Sequence, residues 1–143
     1  MIDTSVLVPG LLESHEFNEL ARPFVVAANG AKLPGMVLAE AWAVLRRAPW
    51  NLRPDTVQAL LQPWLDEDNV VATPASAYVA AIRDGRRLSI GGNIFDLLIA
   101  YTCASAGLPL ATLDRRQAVI AQDIPGLAVT LLLPGRTGNG AAG

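Results

Sequence analysis

A chain of 143 residues, 52% hydrophobic and 17% charged, is long enough to bury one core and too apolar for intrinsic disorder. A net charge of −2 and a pI near 5.3 exclude a protein that holds nucleic acid by a broadly basic face. A lone cysteine, Cys103, and a lone histidine, His15, exclude an internal disulfide and a Cys/His zinc centre.

Short apolar runs alternate with longer helical patterns along the chain, the signature of an α/β fold around a parallel sheet. Met1 to Asp3 reads as a strand, followed by a helix that Thr4, Ser5 or Asp3 itself would cap. Phe17 to Asn29 predicts a second helix, Lys32 to Pro34 a strand, and Gly35 to Arg47 a helix closed off by Pro49. The helix starting at Pro54 is bent or stopped by Pro63, and Val70 to Thr73 forms the next strand. Thr73-Pro74 offers a cap and first-turn proline for Ala75 to Arg87, and Asn93 to Ser105 is a helix that Gly107 stops. Leu110 to Leu113 and Ala128 to Leu133 are strands on either side of a short helix, Arg115 to Gln122. Residues 1–134 therefore read as one domain and 135–143, "GRTGNGAAG", as a flexible tail. The chain opens without a signal-peptide pattern, and its longest uncharged run, "LLIAYTCASAGLPLATL", is interrupted by Gly107 and Pro109. The expectation is a cytoplasmic protein without a membrane span.

Four of the 13 acids stand in apolar surroundings, and the other nine have polar or charged neighbours. Asp3 lies between Met1-Ile2 and Val6-Leu7-Val8; Glu40 is the only charge between Lys32 and Arg46; Asp96 is the only one between Arg87 and Asp114; and Asp114 closes "LPLATL". Asp3 and Asp114 end apolar strands, where ligands bind in open parallel sheets. Glu40 and Asp96 lie on helices whose neighbouring positions are apolar. Each acid also has an ordinary structural reading. Asp3 could cap a helix, Asn93 with Asp96 resembles a capping arrangement, and Asp114 with Gln117 resembles a capping box. Glu40, in mid-helix, has no such use.

If the four converge, they need a cation, because two carboxylates about 4 Å apart repel by roughly 4 kcal/mol at an effective dielectric near 20. Carboxylate oxygens without His or Cys select Mg²⁺ or Mn²⁺, which leave positions for water and substrate phosphate. Metal-assisted phosphodiester hydrolysis follows, with the ions supplying the positive charge that the surface lacks. Thr112, two residues before Asp114 and on the same strand face, is placed to hold a carboxylate or a water. His15, beside Ser14 and Glu16, reads as an exposed structural residue, and Cys103 as a buried small hydrophobe. The pairs Arg46-Arg47, Arg86-Arg87 and Arg115-Arg116 read as solvated helix faces or as contacts to a phosphate backbone.

The segments "MIDTSVLV", "VLAEAWAVL", "NIFDLLIAYTCASAGLPLATLD" and "GLAVTLL" resemble the PIN-domain ribonucleases, and in length and order the VapC-type toxins of toxin–antitoxin pairs. The resemblance covers the chain to about Leu133. It implies a three-layer α/β/α sandwich with a short, mostly parallel sheet, Mg²⁺- or Mn²⁺-dependent endonucleolytic cleavage of RNA, a homodimer, and silencing by a cognate antitoxin over the active site. By position, Asp3, Glu40, Asp96 and Asp114 match the family's metal-site acids, and Thr112 its common Ser/Thr. Three departures stand out: Ser5 where Asn is frequent, Gln117 where an aromatic is common, and only two residues before Asp3, which leaves open an N-terminus further upstream. Trp42, Trp50 and Trp64 are candidate anchors for the dimer or antitoxin interface. The rival readings are a catalytically weak PIN-like module that binds RNA or protein, and a phosphatase with an aspartyl nucleophile. The phosphatase reading suffers because Ser5 stands where a DxD motif needs its second Asp.

Overall fold

Both edges of Leu110–Thr112 (β3) are paired, and this fixes where the two strand-borne acids meet. The computed structural model describes residues 1–89 and 92–133. On one edge β3 runs parallel to Val129–Leu131 (β4), in the register Leu110↔Val129 to Thr112↔Leu131. On the other edge Ile2 bridges Ala111 in parallel, with Ala111 N donating to Met1 O at 2.8 Å and Asp3 N to Ala111 O at 3.2 Å. The expected opening strand is thus one bridge long, because Asp3 already turns the chain into α1 (Thr4–Leu11). A second parallel pair joins Leu33–Pro34 (β1) to Val70–Val71 (β2). It stays short because Pro34 has no N–H to donate and the next helix begins at Gly35.

The helices around these strands follow the apolar patterns with shifted ends. Asn18–Ala27 (α2) packs on α1, and Gly10 makes the approach possible, since a Cβ there would come within 2.3 Å of Val25 Cγ2. Asn18 Nδ2 donates to Pro9 O at 2.8 Å, which Leu12 N also reaches, and to Gly10 O at 3.3 Å at the end of α1. Gly35–Arg46 (α3) is followed by Pro54–Leu61 (α4), which tightens into a 3₁₀ turn at Gln62–Trp64 around Pro63. Ala75–Asp84 (α5) has Pro74, not Thr73, at its N-cap, and Gly85–Arg87 is a separate 3₁₀ turn rather than its last residues. Ile94–Ser105 (α6) buries Leu97, Leu98, Ile99, Ala100, Thr102 and Cys103, as an all-round apolar helix must, and Gly107 leaves it at φ +66°. Arg115–Ala121 (α7) leads to β4.

The core joins α1, α3, α6 and β3 through residues such as Leu7, Val37, Leu45, Ile99 and Leu110, all at most 1% exposed. Trp64 belongs to it, at 2% exposure with Nε1 donating to Ala28 O at 2.8 Å, so it is a core residue and not an interface anchor. Trp42 is 40% exposed. The architecture is an α/β sandwich with short parallel strand pairs. No described helix is long and apolar enough to cross a membrane. The expected glycine-rich tail, 135–143, lies outside the described residues.

Candidate active site

The carboxyl ends of Met1–Asp3 and β3 open into a cavity of about 510 Å³ that Asp3, Glu40, Asp96 and Asp114 all line. The adjacency of these two segments brings Asp3 and Asp114 together, while α3 and α6 supply Glu40 and Asp96 from the side.

Asp3 is the best-held member. It is 4% exposed and caps α1; its Oδ1 accepts from Ser5 Oγ at 2.7 Å and Val6 N at 3.2 Å, and its Oδ2 lies 2.7 Å from Thr112 Oγ1. Burial pushes its carboxyl up to about 7 against these hydrogen bonds, and the Asp96 charge pushes the same way. Asp96 is raised to about 6, by burial first and then by Asp114 and Glu40. Its carboxylate has no hydrogen-bond partner among the described residues; Asn93 alone caps α6, accepting from Phe95 N at 3.0 Å. Asp114 caps α7, accepting from Arg116 N at 2.7 Å and Gln117 N at 3.3 Å. Glu40 accepts from Thr4 Oγ1 at 2.6 Å. For Asp3 and Asp114, then, capping and lining the cavity are one placement and not alternatives.

Thr112, fully buried, ties this side of the site together. Its Oγ1 accepts from Asp114 N at 2.9 Å and lies 2.8 Å from Gln117 Oε1, 2.7 Å from Asp3 Oδ2 and 3.2 Å from Ser5 Oγ. One hydroxyl proton cannot serve both Asp3 and Gln117 when Asp3 is ionised and Gln117 presents its oxygen. Gln117 Nε2 is meanwhile buried without a partner, and turning the amide over would let Nε2 donate to Thr112 and free the hydroxyl proton for Asp3. Gln117 therefore does not complete a capping box at Asp114, as its spacing predicts, but turns inward at 1% exposure. Its signal in the sequence was a lone amide among apolar α7 positions.

The residues fit a hard divalent cation by donor chemistry: carboxylates with hydroxyl and amide support, and no ion pair to any of the four acids among the described residues. They do not form a ready ligand cluster. Among the described residues no three His, Cys, Asp or Glu side chains stand as a metal-holding group. Repulsion accounts for the spread, with Asp3, Glu40 and Asp114 each held on a separate hydroxyl or backbone donor.

The rest of the cavity was not legible in the sequence. His15, Phe17 and Trp50 line it too, so His15 is a half-buried cavity residue and not a merely exposed one. Arg115 lines it as well, and Arg87 is engaged by Asp84 and Asp123. Burial pushes the Cys103 thiol up to about 12, which leaves it an inert core residue.

Comparison with known proteins agrees with this arrangement. The PIN domain family model matches residues 1–123. Over 120 residues the chain is 31% identical to Ribonuclease VapC27 of Mycobacterium tuberculosis (strain ATCC 25618 / H37Rv), a match covering 80% of this chain and 84% of that protein. With strand ends, acids and sequence all in agreement, the chain belongs to the PIN-domain family and, within it, to the VapC type.

Proposed function

We propose that this chain is a Mg²⁺- or Mn²⁺-dependent endoribonuclease, the toxin of a toxin–antitoxin pair, hydrolysing RNA phosphodiester bonds in the cytoplasm as a homodimer that a cognate antitoxin silences. The observation that carries the reading is one cavity lined by Asp3, Glu40, Asp96 and Asp114, two of them raised in pKa by burial and by other acids of the set, with no ion pair to any of the four among the described residues. Such charge calls for a bound cation. The name of the similar VapC27, a ribonuclease, supports the substrate class.

Asp3, Asp96, Asp114 and Glu40 would hold the metal. A bound Mg²⁺ or Mn²⁺ supplies Lewis acidity at phosphorus and a more acidic water. The chain supplies the rest. Ser5, Thr112 and Val6 N fix Asp3 in one orientation; the first turn of α7 fixes Asp114; and Thr4 holds Glu40 toward the cavity. Asp96, without a hydrogen-bond partner among the described residues, is the acid freest to take up a proton or a ligand. Thr112 is a positioning residue, reaching substrate only through Asp3 and Asp114.

The second reading, a PIN-like module that binds RNA or protein without cutting it, draws on the absence of a ready three-acid group among the described residues. Purified protein with Mn²⁺ and structured RNA separates the two. Asp96→Asn should lower cleavage at least about 100-fold with no fall in melting temperature. Equal cleavage by that variant, or no cleavage by the unaltered chain, would overturn the enzyme reading.

A further inference from the structure

The cavity is larger than four carboxylates and one phosphate require. At about 510 Å³ it lies in the range of roughly 300–1,000 Å³ typical of sites for small organic ligands. Part of its non-acidic wall is three rings brought by two loops, one between α1 and α2 and one between α3 and α4. His15 lies between the others, with ring centroids 5.9 Å from Phe17 and 5.5 Å from Trp50, the latter nearly parallel at 28°. All three rings keep exposed surface, 38% for Phe17. His15 Nδ1 accepts from Phe17 N at 3.1 Å, so the neutral ring carries its proton on Nε2, which has no hydrogen-bond partner among the described residues. The wall therefore combines flat π surface with an N–H donor.

We infer that His15, Phe17 and Trp50 form a nucleobase subsite, which stacks an unpaired base of single-stranded RNA next to the phosphate held at the acids. The inference rests on the ribonuclease reading and adds what binds beside the phosphate. Three features favour a base over an aliphatic protein side chain. Three neighbouring rings stand in the wall beside the aliphatic Val8, Val44, Ile99 and Leu113; it carries a donor that a heterocycle's acceptors can use; and it is continuous with the acids, so one nucleotide would span both. Because every base has a π face, the subsite would favour unpaired over paired RNA more than one base over another.

The test measures binding of fluorescein-labelled oligo(A) and of an abasic ribose-phosphate strand, each a decamer, to the full chain carrying Asp96→Asn, with Mg²⁺ present. Oligo(A) should bind about tenfold more tightly than the abasic strand. Adding Trp50→Leu or His15→Leu should erase that difference while leaving the abasic affinity unchanged. Should Trp50→Leu fail to fold, Phe17→Leu, on a more exposed ring, decides in its place. Equal binding of the two strands, no binding of either, or equal weakening of both by the ring variants overturns the subsite and marks the wall as cover for a protein partner or a second copy. Those results would leave Mn²⁺-dependent cleavage by the unaltered chain intact, whereas loss of that cleavage sinks the ribonuclease reading whatever the rings do.

Discussion

Replacing Asp3 by Asn should make the metal-free protein more stable at alkaline pH, although it removes a residue assigned to the metal site. The folded carboxyl titrates near 7 against an ordinary value of 3.8. At about 1.36 kcal/mol per pH unit, keeping Asp3 ionised at pH 8 costs the fold about 4 kcal/mol. The sign follows from proton binding. Below 3.8 the group is protonated in both states and contributes nothing; between 3.8 and about 7 only the folded state holds the proton, so stability falls as pH rises; above 7 the full penalty stands. Asp96, raised to about 6, adds a slope of the same sign at lower pH. Asn at position 3 keeps the shape, accepts from Ser5 and Val6 through its oxygen, and donates to Thr112 through Nδ2, which frees the Thr112 hydroxyl for Gln117. Urea unfolding in EDTA at pH 4, 6 and 8 measures the effect: a variant more stable by about 4 kcal/mol at pH 8, with the gap closing toward pH 4. Mn²⁺ should narrow the gap, since a ligand at 100 times its Kd adds about 2.7 kcal/mol to the protein that binds it. A variant no more stable than wild type at pH 8, or a gap independent of pH, would refute the account of Asp3 as a carboxylate held at a cost for a cation.

Other substitutions probe the supports of the site. Gln117→Leu deletes the amide against Thr112 together with its unpartnered Nε2, so stability should change by less than about 1 kcal/mol while Mn²⁺ affinity, read by calorimetry, falls several-fold. Thr4→Val releases Glu40 at a part-buried hydrogen bond; it should lower cleavage more than tenfold, with about 1 kcal/mol lost in urea unfolding. Gly10→Ala forces α1 from α2 against Val25 and should destabilise by about 1–3 kcal/mol, visible as a lower melting temperature with metal affinity retained.

The helices were legible because their apolar faces recur at helical spacing, and α6 announced its burial by being apolar on every side around Asp96. The ends were less so. Thr73 looked like the cap of α5, yet Pro74 occupies that position, and the helix predicted to reach Arg87 ends at Asp84. The strands are two or three residues long, too short for any alternating pattern to register, and the first is a single bridge.

The sequence by itself determined that four acids adjoin long uncharged runs, because local composition is enough to show where a carboxylate meets apolar surroundings. Only the tertiary structure decided that Asp3 lies beside Thr112, 109 positions away, since parallel pairing of Ile2 with Ala111 is a long-range contact with no local trace. The same holds for the ring wall. His15 and Trp50 are each unremarkable in their own segments, and they acquire a role only where two loops, joined by the packing of α1 to α3, bring them within 5.5 Å. Charge isolation is written in the neighbours along the chain, whereas convergence is written in the packing between elements.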